Sequence, residues 1–406
     1  MRPVVVCVVG TRPEAIKMAP LILRLKSRGA ELETRVVTSG QHRGLLDQAL
    51  DDFGLTPDTD LDLMRPDQGL AELTARALMG LSEYLERERP AFVLAQGDTS
   101  TVLSAALACH YNHVPFGHVE AGLRSGRADD PFPEEKNRVL TSHLAEMHFA
   151  PTPSARRHLL DEGIADPAIH VTGNTVIDAL RWMSDLEPPL PVSVAKGRLI
   201  LVTAHRRENF GAPLVRICQA VLDLTTRYPD VSFVIPVHPN PRVRSIVQSL
   251  LQGHDRIHVI EPVGYPAFVA LMKAACLILT DSGGVQEEGP SLGKLVLVLR
   301  ETTERPEAVR DGTARLVGTR RADIVVAVGR ILEDVADRPP QYVDPRPNPY
   351  GDGWASERIA RLVERRLGLM PIPPPLGFDP LWPVSDIRDR NTKGVRPHHV
   401  RLPLVK

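Results

Sequence analysis

Acidic residues stand just after apolar, β-branched runs in the first half of the chain. Asp98 lies in Gly97-Asp98-Thr99, Glu120 in His118-Val119-Glu120-Ala121-Gly122, and Glu134 and Glu135 follow Pro133. A single acid at such a place can simply cap a helix or complement its macrodipole. Three clusters on one side of one sheet could give a general acid and a general base to one substrate. In the second half, His205 begins His205-Arg206-Arg207-Glu208-Asn209 directly after a strand-like run. An imidazole there can exchange protons near neutral pH while arginines hold phosphate. Further on, Ser282, Gly283 and Gly284 open a helix and leave backbone N–H groups accessible for a diphosphate. Glu288, farther along that helix, would repel phosphate but can accept two hydrogen bonds from a ribose diol. Arg305 follows another strand end, and the set fits a nucleotide sugar better than inorganic phosphate.

The first strand-like run ends in Gly10-Thr-Arg-Pro-Glu14, with Lys17 on the helix that follows. Glycine permits the turn, proline suits a first helical position, and Arg12 and Lys17 bring positive charge to a helix N-terminus. The segment reads either as an anion site or as a structural βα turn, and it matches neither Gly-x-Gly-x-x-Gly nor a P-loop. His205, His238 and the acids lack a compact ligand spacing such as His-Glu-x-x-His, so no metal is expected. Cys7, Cys109, Cys218 and Cys276 are far apart within mainly apolar surroundings and read as small core residues.

These side chains need strand ends to hold them. The short β-branched run Val4 to Val9 and further strand candidates at Thr34 to Thr38, Ala91 to Ala95, Pro115 to Val119, Met147 to Ala150 and Ile169 to Thr172 alternate with helical patterns such as Pro13 to Arg28 and Leu70 to Arg89. A further helix is expected near Asn137, after the two glutamates. The chain therefore predicts an α/β fold with a mostly parallel sheet covered on both faces. Glu187-Pro-Pro-Leu-Pro191 reads as a linker. The pattern then restarts with strands at Leu199 to Thr203, Val231 to Val237, Ile257 to Ile260, Cys276 to Thr280 and Leu295 to Leu299. Two doubly wound, Rossmann-like domains are expected, over residues 1–180 and 192–350, facing a cleft at the carboxyl ends of their strands. An amphipathic helix follows at Trp354 to Leu367, with Gly368 as its stop. Residues 371–406, with eight prolines in 36 residues, are expected to be an extended or disordered tail.

The 406 residues are 43% hydrophobic, enough for two cores. A net charge of -1 gives no long-range field for nucleic acid or an anionic membrane. No apolar run approaches the ~20 residues that cross a bilayer. A cytoplasmic protein without nucleic-acid or membrane partners is the expectation.

The ordered set Gly10-Thr-Arg-Pro-Glu-Ala-Ile-Lys-Met-Ala-Pro20, Gly97-Asp-Thr, His118-Val-Glu-Ala-Gly122, Pro133-Glu-Glu, His205-Arg-Arg-Glu-Asn209, Ser282-Gly-Gly-Val-Gln-Glu-Glu288 and Thr303-Glu-Arg-Pro306 resembles the non-hydrolysing UDP-N-acetylglucosamine 2-epimerases. The likeness runs from about Val4 to Leu367. It implies a GT-B-like pair of domains, UDP bound mainly by the second, and a last helix, 354–368, returning to the first. It implies reversible conversion of UDP-N-acetylglucosamine to UDP-N-acetylmannosamine with no cofactor. By motif position, Asp98, Glu120, Glu134 and His205 carry over as the catalytic group, with Glu135 an alternative to Glu134. The carboxylates would handle the proton, and His205 would assist at the departing phosphate. Arg12, Lys17, Phe268, Ser282, Gly283, Gly284, Glu288 and Arg305 carry over as substrate-binding. Phe268, placed near the uracil by the resemblance, reads as a core residue from periodicity alone. Some bacterial relatives carry a second, activating UDP-N-acetylglucosamine site, which Gln41, His42, Arg206 and His238 match in part. Gly44 and Asp67 depart from it, and Val263 departs from a polar residue near the uracil pocket. A homodimer is also implied. A hydrolysing relative, a nucleotide-sugar sensor and a glycosyltransferase are the other readings of the same cleft.

Overall fold

The computed structural model describes residues 2–40, 43–63, 65, 68–129, 131–194, 197–334 and 348–370. The first unit runs β1 (Val4–Val9), α1 (Arg12–Lys26), β2 (Glu33–Thr38), α2 (Arg43–Asp51), β3 (Thr59–Asp60), α3 (Leu70–Glu88) and β4 (Phe92–Gln96). It continues with α4 (Ser100–Tyr111), β5 (Phe116–Val119), α5 (Glu134–Leu144), β6 (Met147–Ala150), α6 (Pro153–Asp161), β7 (Ile169–Val171) and α7 (Thr175–Asp185). Its strands are all parallel, in the order β3-β2-β1-β4-β5-β6-β7.

The second unit runs β8 (Arg198–Thr203), α8 (Ala212–Arg227), β9 (Val231–Pro236), α9 (Pro241–Leu251), β10 (Ile257–Ile260), α10 (Tyr265–Ala274) and β11 (Leu277–Thr280). Then come α11 (Gly283–Ser291), β12 (Val296–Val298), α12 (Pro306–Arg310), β13 (Ala314–Leu316) and α13 (Arg321–Asp334). Its parallel sheet has the order β10-β9-β8-β11-β12-β13. In each sheet the strand order reverses once, between β1 and β4 and between β8 and β11. Such a switch point opens a crevice outside the strand ends, where ligands of open α/β sheets bind.

The strands anticipated from β-branched runs form within a residue or two of their expected ends. Two very short strands, β3 and β13, were not anticipated. The helix expected near Asn137 starts at Glu134 instead. The carbonyls of Pro131 and Pro133 accept from the amides of Glu135 and Asn137 at 3.0 and 3.1 Å. Proline has no N–H to leave unpaired at a helix start, so the two glutamates occupy the first turn rather than precede it.

One apolar core joins the units. Val176, Ile177, Leu180 and Met183 of α7 belong to the same buried cluster as Val269, Leu271 and Met272 of α10 and Val285 of α11. The final described helix, α14 (Ala355–Arg366), packs against α1 and α7. Asp178 caps it, accepting from the amides of Ala355 and Ser356 at 3.2 and 2.8 Å. Arg28, just past the end of α1, pairs with Glu357 and Glu364 at 2.9 and 2.7 Å. Residues 371–406, where the tail was expected, lie outside the described residues.

The loop after β5 is pinned by close backbone approach. Gly122 has φ +87°. A Cβ there would lie 2.2 Å from the carbonyl oxygen of Ala155. Gly122→Ala is therefore expected to destabilise the fold by at least about 2 kcal/mol, read as a lower urea midpoint, because neither the left-handed conformation nor the contact can relax cheaply.

Candidate active site

The switch point of the first sheet is lined by the residues after β1, β4 and β5. Glu14 caps the turn after β1, accepting from the amides of Gly10 and Thr11 at 2.6 and 3.1 Å. A Cβ on Gly10 would meet Thr101 Oγ1 at 2.6 Å and Ser39 Oγ at 2.8 Å, so only glycine lets β1 end there. After β4, the cap of α4 is Thr99, whose hydroxyl accepts from Val102 N. Asp98 is thus released from capping. Arg138 Nε donates to its carboxylate at 3.1 Å, and Asn137 Nδ2 donates to its backbone carbonyl at 2.9 Å.

Glu134 and Glu135 separate by environment. Glu135 is buried and accepts from the amides of Ser125 and Gly126 and from Arg138 at 3.0 to 3.1 Å. It holds the loop after β5 in place. Glu134 is half-buried and keeps one carboxylate oxygen, Oε2, without a hydrogen-bond partner. That oxygen is buried and unsatisfied, so a proton or donor brought to it would relieve an unpaired acceptor. Glu120 follows β5 with φ +65°, a conformation that costs a residue with a Cβ about 1 kcal/mol or more. Lys17 donates to its carboxylate. Burial raises the Glu120 pKa, but Lys17 and Arg305 overcome it and hold the group below the usual carboxylate range. Lys17 stays charged by the same exchange: burial opposes its charge, and Glu120 and Glu287 more than offset that.

Across the cleft, the switch point of the second sheet carries His205 after β8 and Asp281 to Gly284 after β11. Asp281 is fully buried, and its Oδ2 accepts from the amides of His205 and Arg206 at 2.8 Å and from Asn209 at 2.9 Å. Its Oδ1 lies 3.4 Å from His205 Nδ1. Burial, with help from His238 and Arg206, lowers the His205 pKa despite Asp281, so its imidazole is neutral near pH 7. His238 stacks on His205 with ring centroids 5.6 Å apart. Arg206 lies 3.6 Å from Glu304. Gln41 and His42, expected beside them, lie outside the described residues, as does Asp67.

Ser282 caps α11 without a side-chain hydrogen bond, and the first-turn amides of a helix have no partner within it. The guanidinium of Arg305 lies against that turn: a Cβ on Gly283 would be 3.1 Å from Arg305 Cζ. Arg305 Nε donates to Glu287 at 2.8 Å, and its Nη1 lies 3.3 Å from Glu304. Glycine at 283 thus lets a cation share the helix terminus. Glu288 is buried and accepts from the hydroxyl of Tyr265 at 2.7 Å, and burial raises its pKa to about 7. Arg12 donates across the cleft to the carbonyl of Val263 at 3.0 Å. Phe268 on α10 is half-buried and packs against the core shared by the two units.

Arg138, Asn174, Asp281 and Glu287 hold the site together and were not singled out from sequence. Arg138 could have been found, because it stands one helical turn from Glu134 and Glu135 on α5. The cysteines are inert: burial pushes Cys7 and Cys218 up to about 12 and Cys276 to about 11. Among the described residues no group of three or more His, Cys, Asp or Glu side chains is placed to hold a metal ion. No described helix is long and apolar enough to cross a membrane.

Two doubly wound domains with their switch points turned to one cleft make this an α/β protein of GT-B-like architecture. A glycosyltransferase of kitacinnamycin, 14% identical, shares that fold with a TM-score of 0.59, covering 90% of this chain and all of the other. Narrower likenesses fix the family. The family profile for UDP-N-acetylglucosamine 2-epimerase matches residues 24–364. The UDP-N-acetylglucosamine 2-epimerase of Yersinia pestis is 51% identical over 371 residues, 89% of this chain and 98% of that one. A crystal structure of the Neisseria meningitidis UDP-GlcNAc 2-epimerase bound to UDP-GlcNAc has a TM-score of 0.82 and 45% identity, covering 89% of this chain and 100% of that one. A Listeria monocytogenes structure described as a 2-epimerase of the same kind has a TM-score of 0.83 and 41% identity, covering 93% and 100%. The chain belongs to the UDP-N-acetylglucosamine 2-epimerase family.

Proposed function

We propose that this chain interconverts UDP-N-acetylglucosamine and UDP-N-acetylmannosamine without releasing UDP to water. The observation that carries the reading is the division of the cleft: carboxylates at one switch point, and His205 with the α11 terminus and Arg305 at the other. In the forward step a carboxylate takes the proton from sugar carbon 2. That electron pair forms the C1–C2 double bond, and UDP leaves carbon 1 with the C1–O bonding pair. The product is bound 2-acetamidoglucal. Return of UDP to carbon 1 and of a proton to the opposite face of carbon 2 completes inversion.

Asp98, Glu120 and Glu134 are the proton-handling group, with the buried, unpartnered oxygen of Glu134 and the ionised carboxylate of Glu120 suited to different steps. His205 presents a neutral imidazole to the departing phosphate. Ser282, Gly283, Gly284 and Arg305 hold the diphosphate, Glu288 the ribose and Phe268 the uracil, with Arg12 and Lys17 completing the cleft. No cofactor takes part. The product feeds polysaccharide or glycoconjugate synthesis, and the working unit is a cytoplasmic homodimer.

Proton NMR of the purified protein with UDP-N-acetylglucosamine in heavy water tests this. The expected result is UDP-N-acetylmannosamine carrying deuterium at carbon 2. Free N-acetylmannosamine with UDP would replace the reading by hydrolysis, and an unchanged spectrum would overturn it.

A further inference from the structure

Glu287 is fully buried on α11 and has no role in the reaction as written above. Its Oε1 takes the Nε hydrogen of Arg305, and its Oε2 accepts from Asn174 Nδ2 at 2.9 Å. The same amide nitrogen donates to Glu120 Oε2 at 3.1 Å. Side chains thus run unbroken from Arg305 at the α11 terminus, through Glu287 and Asn174, to Glu120 and Lys17 in the other unit.

An amide is well suited to the middle of that chain. It has two N–H hydrogens, one for each carboxylate, and brings no charge of its own. Its orientation is fixed, because Asn174 Oδ1 accepts from Val176 N at 3.1 Å as the cap of α7. Its backbone is held as well, with Asn174 N donating to the carbonyl of Tyr350 at 2.7 Å. Glu120, by contrast, sits in a left-handed conformation and depends on its neighbours to stay there.

We propose that Asn174 and Glu287 are a positioning pair that couples Arg305, at the diphosphate loop, to the proton-transfer carboxylate Glu120. This rests on the epimerase reading above. Phosphate drawing on Arg305 loosens its hold on Glu287, and the change passes through one amide to the group that handles the proton. Departure of UDP and transfer of the carbon 2 proton are thereby linked through the protein as well as through the sugar.

The charged and titratable groups facing Glu120 are Lys17 of α1, Arg305, Glu287 of α11 and His118 of β5. Removing N–H donors from a carboxylate raises its pKa, whereas removing a neighbouring like charge lowers it. Two variants of the full chain therefore carry opposite signs. Asn174→Ser keeps a cap oxygen for α7 but removes both donors. The kcat for UDP-N-acetylglucosamine should fall on the order of 10²-fold, with the Kd for UDP changed by less than about threefold, and the acid limb of kcat should move to higher pH. Glu287→Gln keeps the shape and removes the charge, so its acid limb should move to lower pH. The double variant should lose less than the product of the two single losses.

An acid limb unmoved in both, shifts of the same sign, or a loss wholly accounted for by weaker UDP binding would overturn the pair. Should Asn174→Ser not fold, the downward shift in Glu287→Gln, or its absence, decides. A wild-type protein that exchanges no carbon 2 proton removes the epimerase reading and the pair's role with it. Active wild type with both variants at full kcat and an unchanged pH profile removes the pair alone.

Discussion

Asp98→Asn should lower kcat on the order of 10²- to 10⁴-fold while leaving UDP affinity almost unchanged. The size follows from the proposed role, in which the substitution removes an ionisable group that handles the carbon 2 proton. The split follows from placement, because Asp98 lies just past β4 in the first unit, whereas the proposed diphosphate loop follows β11 in the second. Asparagine preserves an oxygen for Arg138, which also keeps its bond to Glu135 at 3.0 Å, so the fold should survive the change. Steady-state rates with UDP-N-acetylglucosamine, beside calorimetric titration with UDP, make the measurement. Normal turnover in this variant and in His205→Ala would remove the assigned chemistry. A parallel loss of UDP binding would instead make Asp98 a structural residue of the cleft.

Arg305→Ala should be the more damaging change to stability. Arg305 lies between Glu287, which is fully buried, and Glu304, whose pKa is held at about 2 by Arg305 and Arg300 against the cost of burial. Removing the guanidinium strips both carboxylates of the cation they share. Breaking a buried ion pair from one side costs roughly 3–5 kcal/mol, because the remaining charge stays desolvated. The urea midpoint should fall accordingly, and UDP binding should fall with it. Because the stranded acids can recover by protonation, the stability deficit relative to wild type should shrink as the pH is lowered. A deficit constant across pH would show that the lost guanidinium acted through packing alone.

The sequence revealed the frame because the frame is local. Most buried strands are runs rich in β-branched residues, and their ends are marked by glycine or a polar turn, so β1 and β10 have the very bounds their runs suggest. At two residues β3 is too short to leave such a pattern, and β13, Ala314-Arg315-Leu316, contains no β-branched residue. Asp98, Glu120 and the glycine loop were legible for the same reason, being fixed to strand ends whose direction the fold class dictates. Their partners were not. Asn174 and Glu287 are 113 residues apart, and nothing near either in sequence announces the other. Asn174 read alone is a helix cap, which it also is. Arg305 read alone is a phosphate ligand, and its burial against two carboxylates emerges only when the loop before α12 is folded against α11. Long-range pairing of this kind depends on three-dimensional packing that periodicity does not encode.

Helix α14 has a consequence for how the molecule is made. On the ribosome, the first sheet and its helices emerge well before the chain that completes them. The faces of α1 and α7, and the guanidinium of Arg28, wait for a helix encoded after the whole second unit. Domains released early usually fold as they emerge, but this one carries an uncovered apolar stripe until the helix that follows the second unit arrives. A nascent chain arrested after residue 334 should therefore hold a loosened first unit that protease cleaves readily, and that tightens when a peptide spanning 348–370 is added.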